Sequence, residues 1–157
     1  MRNVLFICTG NTCRSAMAEA WLKVLCAREN LDWTVRSAGL DAYAGDGANP
    51  YAREVIQAAG GDLSRHAARR FCSCLADEAD LIAVMTRNQL RRLLTLVPEA
   101  SAKSCLLMHF SRLQPEADVS DPFGGTREEY EECFLTMKEA LENLKNSLAE
   151  NNQPNKG

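Results

Sequence analysis

The chain has 157 residues, 46% of them hydrophobic and 25% charged, with a formal net charge of -3 at pH 7. That suffices for one domain with a real core and is too apolar for a disordered chain. The mild acidity excludes an electrostatic case for nucleic acid or an anionic membrane as partner.

The first element is carried by Val4, Leu5, Phe6 and Ile7, a β-branched and aromatic run of the kind found in a strand buried on both faces. It stops at Cys8. Thr9, Gly10, Asn11 and Thr12 are loop formers, and a helical pattern then runs from about Ser15 to Glu29 through Met17, Ala18, Trp21, Leu22 and Leu25. A cysteine at a strand's carboxyl end, a tight loop and a helix N-terminus together make a phosphate cradle. Loop amides converge on the anion, the helix dipole favours negative charge, and Arg14 adds a planar bidentate fork. A helix N-terminus beside a cation also favours thiolate, the nucleophilic form of cysteine. The expected chemistry is phosphoryl transfer to the sulfur of Cys8. As a mere helix-start residue Arg14 would be poorly placed, since cations are disfavoured there without an anion.

Trp33 to Ser37 reads as a second strand, parallel to the first through a right-handed crossover. Residues 39 to 49 form a small-residue surface loop containing Tyr43. Asn49-Pro50 starts a helix that turns Val55, Ile56 and Ala59 inward and ends at Gly60-Gly61. Ser64 to Cys74 is basic and loop-like, with a short helix near Ser73 to Asp77. Leu81 to Met85 is the third strand. Thr86 and Gln89 fit a capping box opening a helix with Leu90, Leu93, Leu94 and Val97 on one face, closed by Pro98. Ser104 to Met108 is a weak fourth strand, and His109 to Ser120 a loop leading to Asp121. Thr126 and Glu129 make a second capping box, before a helix carrying Tyr130, Cys133, Phe134, Met137, Leu141, Leu144 and Leu148.

The expected fold class is α/β. Residues 1–149 form a single doubly wound domain, a four-stranded parallel sheet in the order 2-1-3-4 with helices on both faces. Residues 150–157 are a polar tail expected to fray. Ligands in such a fold bind at the strands' carboxyl ends, where Cys8 sits. The longest apolar runs, Val4 to Cys8 and Leu81 to Met85, are too short to span a bilayer or form a signal-peptide core. The expectation is a cytoplasmic monomer without membrane contact.

Seven cysteines is an odd number, and with no secretory signal most are expected as reduced thiols. Cys26 and Cys133 fall at core-facing helix positions and Cys105 abuts a strand, so packing explains those three. Cys72 and Cys74 are too close for a usual zinc pair and only two histidines exist to help, so no metal site is expected. They read as incidental or at most redox-active.

Cys8 to Ser15, reading CTGNTCRS and followed by Met17-Ala18-Glu19-Ala20, resembles the signature loop of the low-molecular-weight protein tyrosine phosphatase family. Arg36-Ser37-Ala38-Gly39, Ala79-Asp80-Leu81-Ile82 with Met85-Thr86, and Asp121-Pro122-Phe123-Gly124-Gly125 resemble its later landmarks in the same order. Ala16 departs from the pattern, which usually has proline there. The resemblance implies Cys8 as nucleophile, Arg14 as phosphoryl clamp and Asp121 as general acid, where Asp-Pro alone is equally a turn. The phosphate cradle would be Thr9, Gly10, Asn11, Thr12, Cys13 and Ser15. Asn11, Ser15 and Ser37 would hydrogen-bond the loop and thiolate, and His66 would support the loop from behind. Read without the family, Ser15 is a cap, Ser37 a turn residue and His66 a solvated histidine. The resemblance further implies a reversible Cys8–Cys13 disulfide, no cofactor, and phosphorylated proteins as substrates.

Thr12 stands where tyrosine phosphatases of the family typically carry isoleucine. CTGNTCRS, Phe123-Gly124 and Thr86 resemble the branch acting on phosphoarginine. A threonine hydroxyl can orient a guanidinium or a water, as isoleucine cannot. The expected activity is therefore protein-arginine phosphatase, with tyrosine phosphatase second. A thiol-dependent arsenate reductase would need relay cysteines after the third strand, and Thr86 to Val97 holds none. A binding module built on a dead phosphatase would be expected to lack Cys8, Arg14 or Asp121.

Overall fold

A computed structural model of the protein describes residues 1–151. Its strands are β1 (Arg2–Cys8), β2 (Trp33–Gly39), β3 (Leu81–Val84) and β4 (Ser104–Leu106). Its helices are α1 (Arg14–Arg28), α2 (Pro50–Ala59), α3 (Ser73–Glu78), α4 (Arg87–Leu96) and α5 (Arg127–Glu150). The four strands form one parallel sheet in the order β2-β1-β3-β4, as the alternation of patterns predicts.

Alternation along β1 builds two cores. Val4, Phe6 and Cys8 belong to the larger core, which α1, α2 and α5 cover. Leu5 and Ile7 point the other way, into a smaller core with Ala38, Val84 and Leu93 beneath α3 and α4. Cys8 therefore ends β1 on the α1 side, and the chain must turn within five residues to enter that helix. β2 continues to Gly39 rather than stopping at Ser37, because Ala38 and Gly39 stay in register with Ile7 and Cys8. Gly39 is obligatory: a Cβ there would lie 2.5 Å from the Thr9 carbonyl oxygen and 2.9 Å from the Asn11 nitrogen.

Elsewhere the differences from expectation are local. β4 is an edge strand of three residues, since Leu107–Phe110 coil into a 3-10 turn that buries Leu107 and Met108. Thr86 and Gln89 form the complete capping box. The one at Thr126 is half made: its hydroxyl accepts from the Glu129 amide at 3.3 Å. The Glu129 carboxylate instead lies over Gly125, where an added Cβ would meet it at 2.1 Å. α5 runs through Glu150, so the segment expected to fray begins helical, and residues 152–157 lie outside the described residues.

The cysteines are not all free. Cys72 and Cys74, read from the sequence as incidental or at most redox-active, are joined in a disulfide. Ser73 between them is the first residue of α3, and its helical backbone sets their Cα separation at 5.3 Å, within disulfide reach. The other five are free. Burial pushes the Cys26 and Cys105 thiols up to about 11 and that of Cys133 to about 12. No described helix is long and apolar enough to cross a membrane.

Candidate active site

Residues 9–13 loop around the sulfur of Cys8. The Asn11 amide donates to it at 3.3 Å and the Ser15 hydroxyl lies at 2.9 Å. Among the described residues the amides of Gly10, Thr12 and Cys13 have no protein acceptor. They are donors left over for an anion.

Asn11 is the centre of the loop. It is fully buried with φ of 56°, a left-handed conformation that asparagine tolerates better than most residues. Each of its polar groups is used. The side-chain amide donates to Ser15 and to Ser37, both at 2.8 Å. Its side-chain oxygen accepts from the Arg69 amide at 2.9 Å, and its carbonyl from His66 Nε2 at 2.7 Å.

These bonds fix the direction of the hydroxyl protons. Ser37 donates to the Glu19 carboxylate, so its oxygen is the acceptor for Asn11. Ser15 accepts from Asn11 and has its single proton left for the sulfur. The sulfur thus has two donors aimed at it, the Asn11 amide and the Ser15 hydroxyl. Glu19, itself paired with Lys23 at 2.6 Å, anchors the far end of the chain. A hydrogen bond to a charged group contributes roughly 1.5 kcal/mol or more, close to a tenfold rate effect. Glu19→Ala is thus expected to lower kcat about tenfold at nearly unchanged KM. Glu19→Gln, which keeps an acceptor for Ser37, should recover most of that loss in steady-state assays.

Arg14, 5% exposed, reaches across the loop and donates to the Val119 carbonyl at 2.9 Å. Its other terminal nitrogen lies 3.5 Å from Asp121 Oδ2. Asp121 Oδ1 accepts from the Phe123 amide at 3.1 Å, an Asx-type turn that sets the carboxylate above the cradle. Gln89 of α4 spends its side-chain oxygen on the Met85 and Thr86 amides and gives its Nε2 to Thr9 Oγ1 at 3.2 Å. The start of the loop is thereby tied to the opposite side of the sheet.

Cys13 N-caps α1 with its thiol 3.2 Å from the buried Tyr130 hydroxyl. Burial pushes both groups above their ordinary values, which keeps each protonated near neutrality.

Cys8 through Arg14 line one cleft of about 410 Å³ with Asp41, Tyr43, Asp46, Asp121 and Phe123. Ser15, Ser37 and His66 stand behind it, bonded to the loop rather than facing the opening. Every residue expected at the site is thus brought together.

The sequence profile described as "Low molecular weight phosphotyrosine protein phosphatase" matches residues 3–154. This chain belongs to that family. It is 34% identical over 152 residues to the low molecular weight protein-tyrosine-phosphatase Wzb of Salmonella typhi, covering 96% of this chain and 97% of that one. It is 33% identical over 151 residues to the protein-arginine-phosphatase of Bacillus subtilis, covering 93% and 96%. Among solved structures, the YwlE arginine phosphatase in a cysteine-to-serine mutant with a phosphorylated active-site serine superposes with a TM-score of 0.89. That likeness is at 32% identity and covers 96% and 97% of the two chains.

Several groups in the site of this phosphatase escape a reading of its sequence. Glu19 lies one helical turn beyond Ser15, a spacing that places both on one face and could have flagged it. Gln89 is legible as a capping residue but not as a partner for Thr9. Asp41 and Asp46 come from the loop in which only Tyr43 drew notice, and no local pattern links them to Cys8.

Proposed function

We propose that this phosphatase removes phosphoryl groups from phosphoarginine in proteins, through a thiophosphate on Cys8. The observation that carries the reading is the chemistry of the cleft wall beside the sulfur. Thr12 lines it together with the carboxylates of Asp41, Asp46 and Asp121. Asp41 is matched by Arg92, with both guanidinium bonds at 2.8 Å, while Asp46 has no ion pair among the described residues. A wall with a free carboxylate and a hydroxyl suits a guanidinium leaving group, and Tyr43 and Phe123 offer exposed aromatic faces on which it can stack.

The geometry supports the following course for the reaction. The loop amides and the Arg14 fork hold the phosphoryl oxygens as charge builds on them. The Cys8 sulfur attacks phosphorus in line, and the bond to the leaving nitrogen breaks as Asp121 protonates it. Asp121, now a carboxylate, takes a proton from water as that water attacks the thiophosphate. Phosphate leaves, and Cys8 is restored with its Asn11 and Ser15 bonds.

Two measurements test the reading. The first compares kcat/KM on paired peptides bearing phosphoarginine or phosphotyrosine. Preference for phosphoarginine is expected, and Thr12→Ile should move the ratio toward phosphotyrosine about tenfold or more, the scale of one lost polar contact. An unchanged ratio in that variant removes the argument. The aromatic walls favour a second reading, tyrosine phosphatase, which a phosphotyrosine preference would install.

The second test concerns oxidation. Peroxide converts the Cys8 thiolate to sulfenate, and the Cys13 thiol then displaces hydroxide to form a Cys8–Cys13 disulfide. Mass spectrometry of peroxide-treated protein is expected to find that linked peptide before any sulfinic acid. Sulfinic acid appearing first would exclude the shield. On this reading the protein acts in the cytoplasm, as a monomer, on phosphoproteins.

A further inference from the structure

Behind Asn11 lies a second cleft, of about 320 Å³, which shares no lining residue with the first. Its wall includes Ser37, His66 and Arg69, all of which contribute groups that hold Asn11. The remaining charges are Lys23, Arg36, Arg65, Glu19 and Asp62. Most are satisfied. Lys23 is paired with Glu19 at 2.6 Å, Arg36 with Glu78 at 2.6 Å, and Asp62 accepts the Ser64 amide at 2.8 Å. Arg65 lowers Asp62 less than that amide does, and makes no ion pair with it. Among the described residues, the Arg65 and Arg69 guanidiniums have neither an ion pair nor a side-chain hydrogen bond. Two guanidiniums without a bonded partner therefore line one polar cleft.

We propose that this cleft is a second anion site, for a compact phosphoryl anion gripped by Arg65 and Arg69, that tunes the catalytic loop from behind. Guanidinium forks match phosphoryl oxygens two at a time. The cleft has the volume of about ten waters, enough for two linked phosphoryl groups. The ligand is inorganic pyrophosphate or the phosphate chain of a nucleotide, which present the same chemistry. Coupling runs through two residues of one short segment. Arg69 offers its side chain to the anion and its amide to the Asn11 side chain, and His66 holds the Asn11 carbonyl. An anion that fixes this segment stabilises the Asn11 conformation on which the Cys8 contacts depend, and so favours turnover.

Amide shifts of isotope-labelled protein titrated with pyrophosphate test the site directly. Two sets are expected, one over Gly10 to Arg14 and one over Lys23 and Arg65 to Arg69. The Arg65→Ser/Arg69→Ser double variant should keep only the first. Shifts confined to residues 8–14 in the wild type would overturn the proposal. ADP binding the second site more tightly than pyrophosphate assigns the nucleotide source, and the reverse order the inorganic one. These shifts are read without turnover, so they stand apart from the identity of the substrate. Coupling is read with saturating p-nitrophenyl phosphate, which removes competition at Cys8. A kcat increase of about fivefold, lost in Arg65→Ser alone, is expected, at the low end of typical coupling between sites. An effect of pyrophosphate on KM only would overturn the coupling.

Discussion

Cys8→Ser is expected to lower kcat by roughly 10⁴-fold or more while phosphoryl binding survives, the loss typical when a covalent nucleophile is replaced. The two side chains differ little in size, and the site at the end of β1 is 3% exposed, so the fold should tolerate the change. Reactivity is another matter. A serine hydroxyl attacks far more slowly than a thiolate unless a base takes its proton. The groups bonded to the sulfur are the Asn11 amide and the Ser15 hydroxyl, both oriented as donors. Neither can serve as that base. The Gly10, Thr12 and Cys13 amides and Arg14 are untouched, so inorganic phosphate or vanadate should bind the variant nearly as tightly as the wild type. Burst kinetics with p-nitrophenyl phosphate, together with calorimetric phosphate binding, separate the two effects. Turnover within tenfold of wild type would exclude Cys8 as the nucleophile.

Arg14→Lys should cost about 10²–10³ in kcat/KM, the usual loss when a donor to a charged transition state is removed. Conserving the charge does not conserve the function, because an ammonium replaces a fork whose nitrogens have separate tasks. One holds the Val119 carbonyl at 2.9 Å and another lies 3.5 Å from Asp121. A lysine can reach one of these, not both, while also holding phosphate. Both kcat and KM are expected to suffer, and hydrogen exchange at Val119 to Phe123 should quicken as that segment loses its tether. A change in KM alone would mean that Arg14 serves ground-state binding only.

Period and punctuation made the sheet order legible, since strands alternating with helices admit few parallel arrangements. Val4 to Ile7, stopping at Cys8, marked the strand end at which the loop forms. The loop itself was harder to read. Ser15, Ser37 and His66 each have an ordinary local explanation, and only the fold shows them meeting at one asparagine. Glu19 looks like a carboxylate on a solvated helix face until Ser37 is brought against it by β2. Gln89 and Thr9 lie 80 residues apart, and their meeting depends on β1 and β3 being neighbours. The Cys72–Cys74 bond goes beyond the redox-active reading of the pair, because the spacing alone does not show that the start of α3 brings the two sulfurs together. Boundaries drifted where register outlasted propensity, as at Gly39.

The pairing of Arg14 with Asp121 has a consequence for how the cycle ends. The guanidinium has a counter-charge built into its own chain, on a side chain that is 53% exposed and is set above the cradle by the Phe123 amide. Once Asp121 has passed on the proton it took from water, its tethered carboxylate competes for Arg14 at the high local concentration that a short connection enforces. Departing phosphate is thus exchanged for an internal rival rather than torn from a bare cation. The loop is discharged after each turnover without having to bind anything from solution.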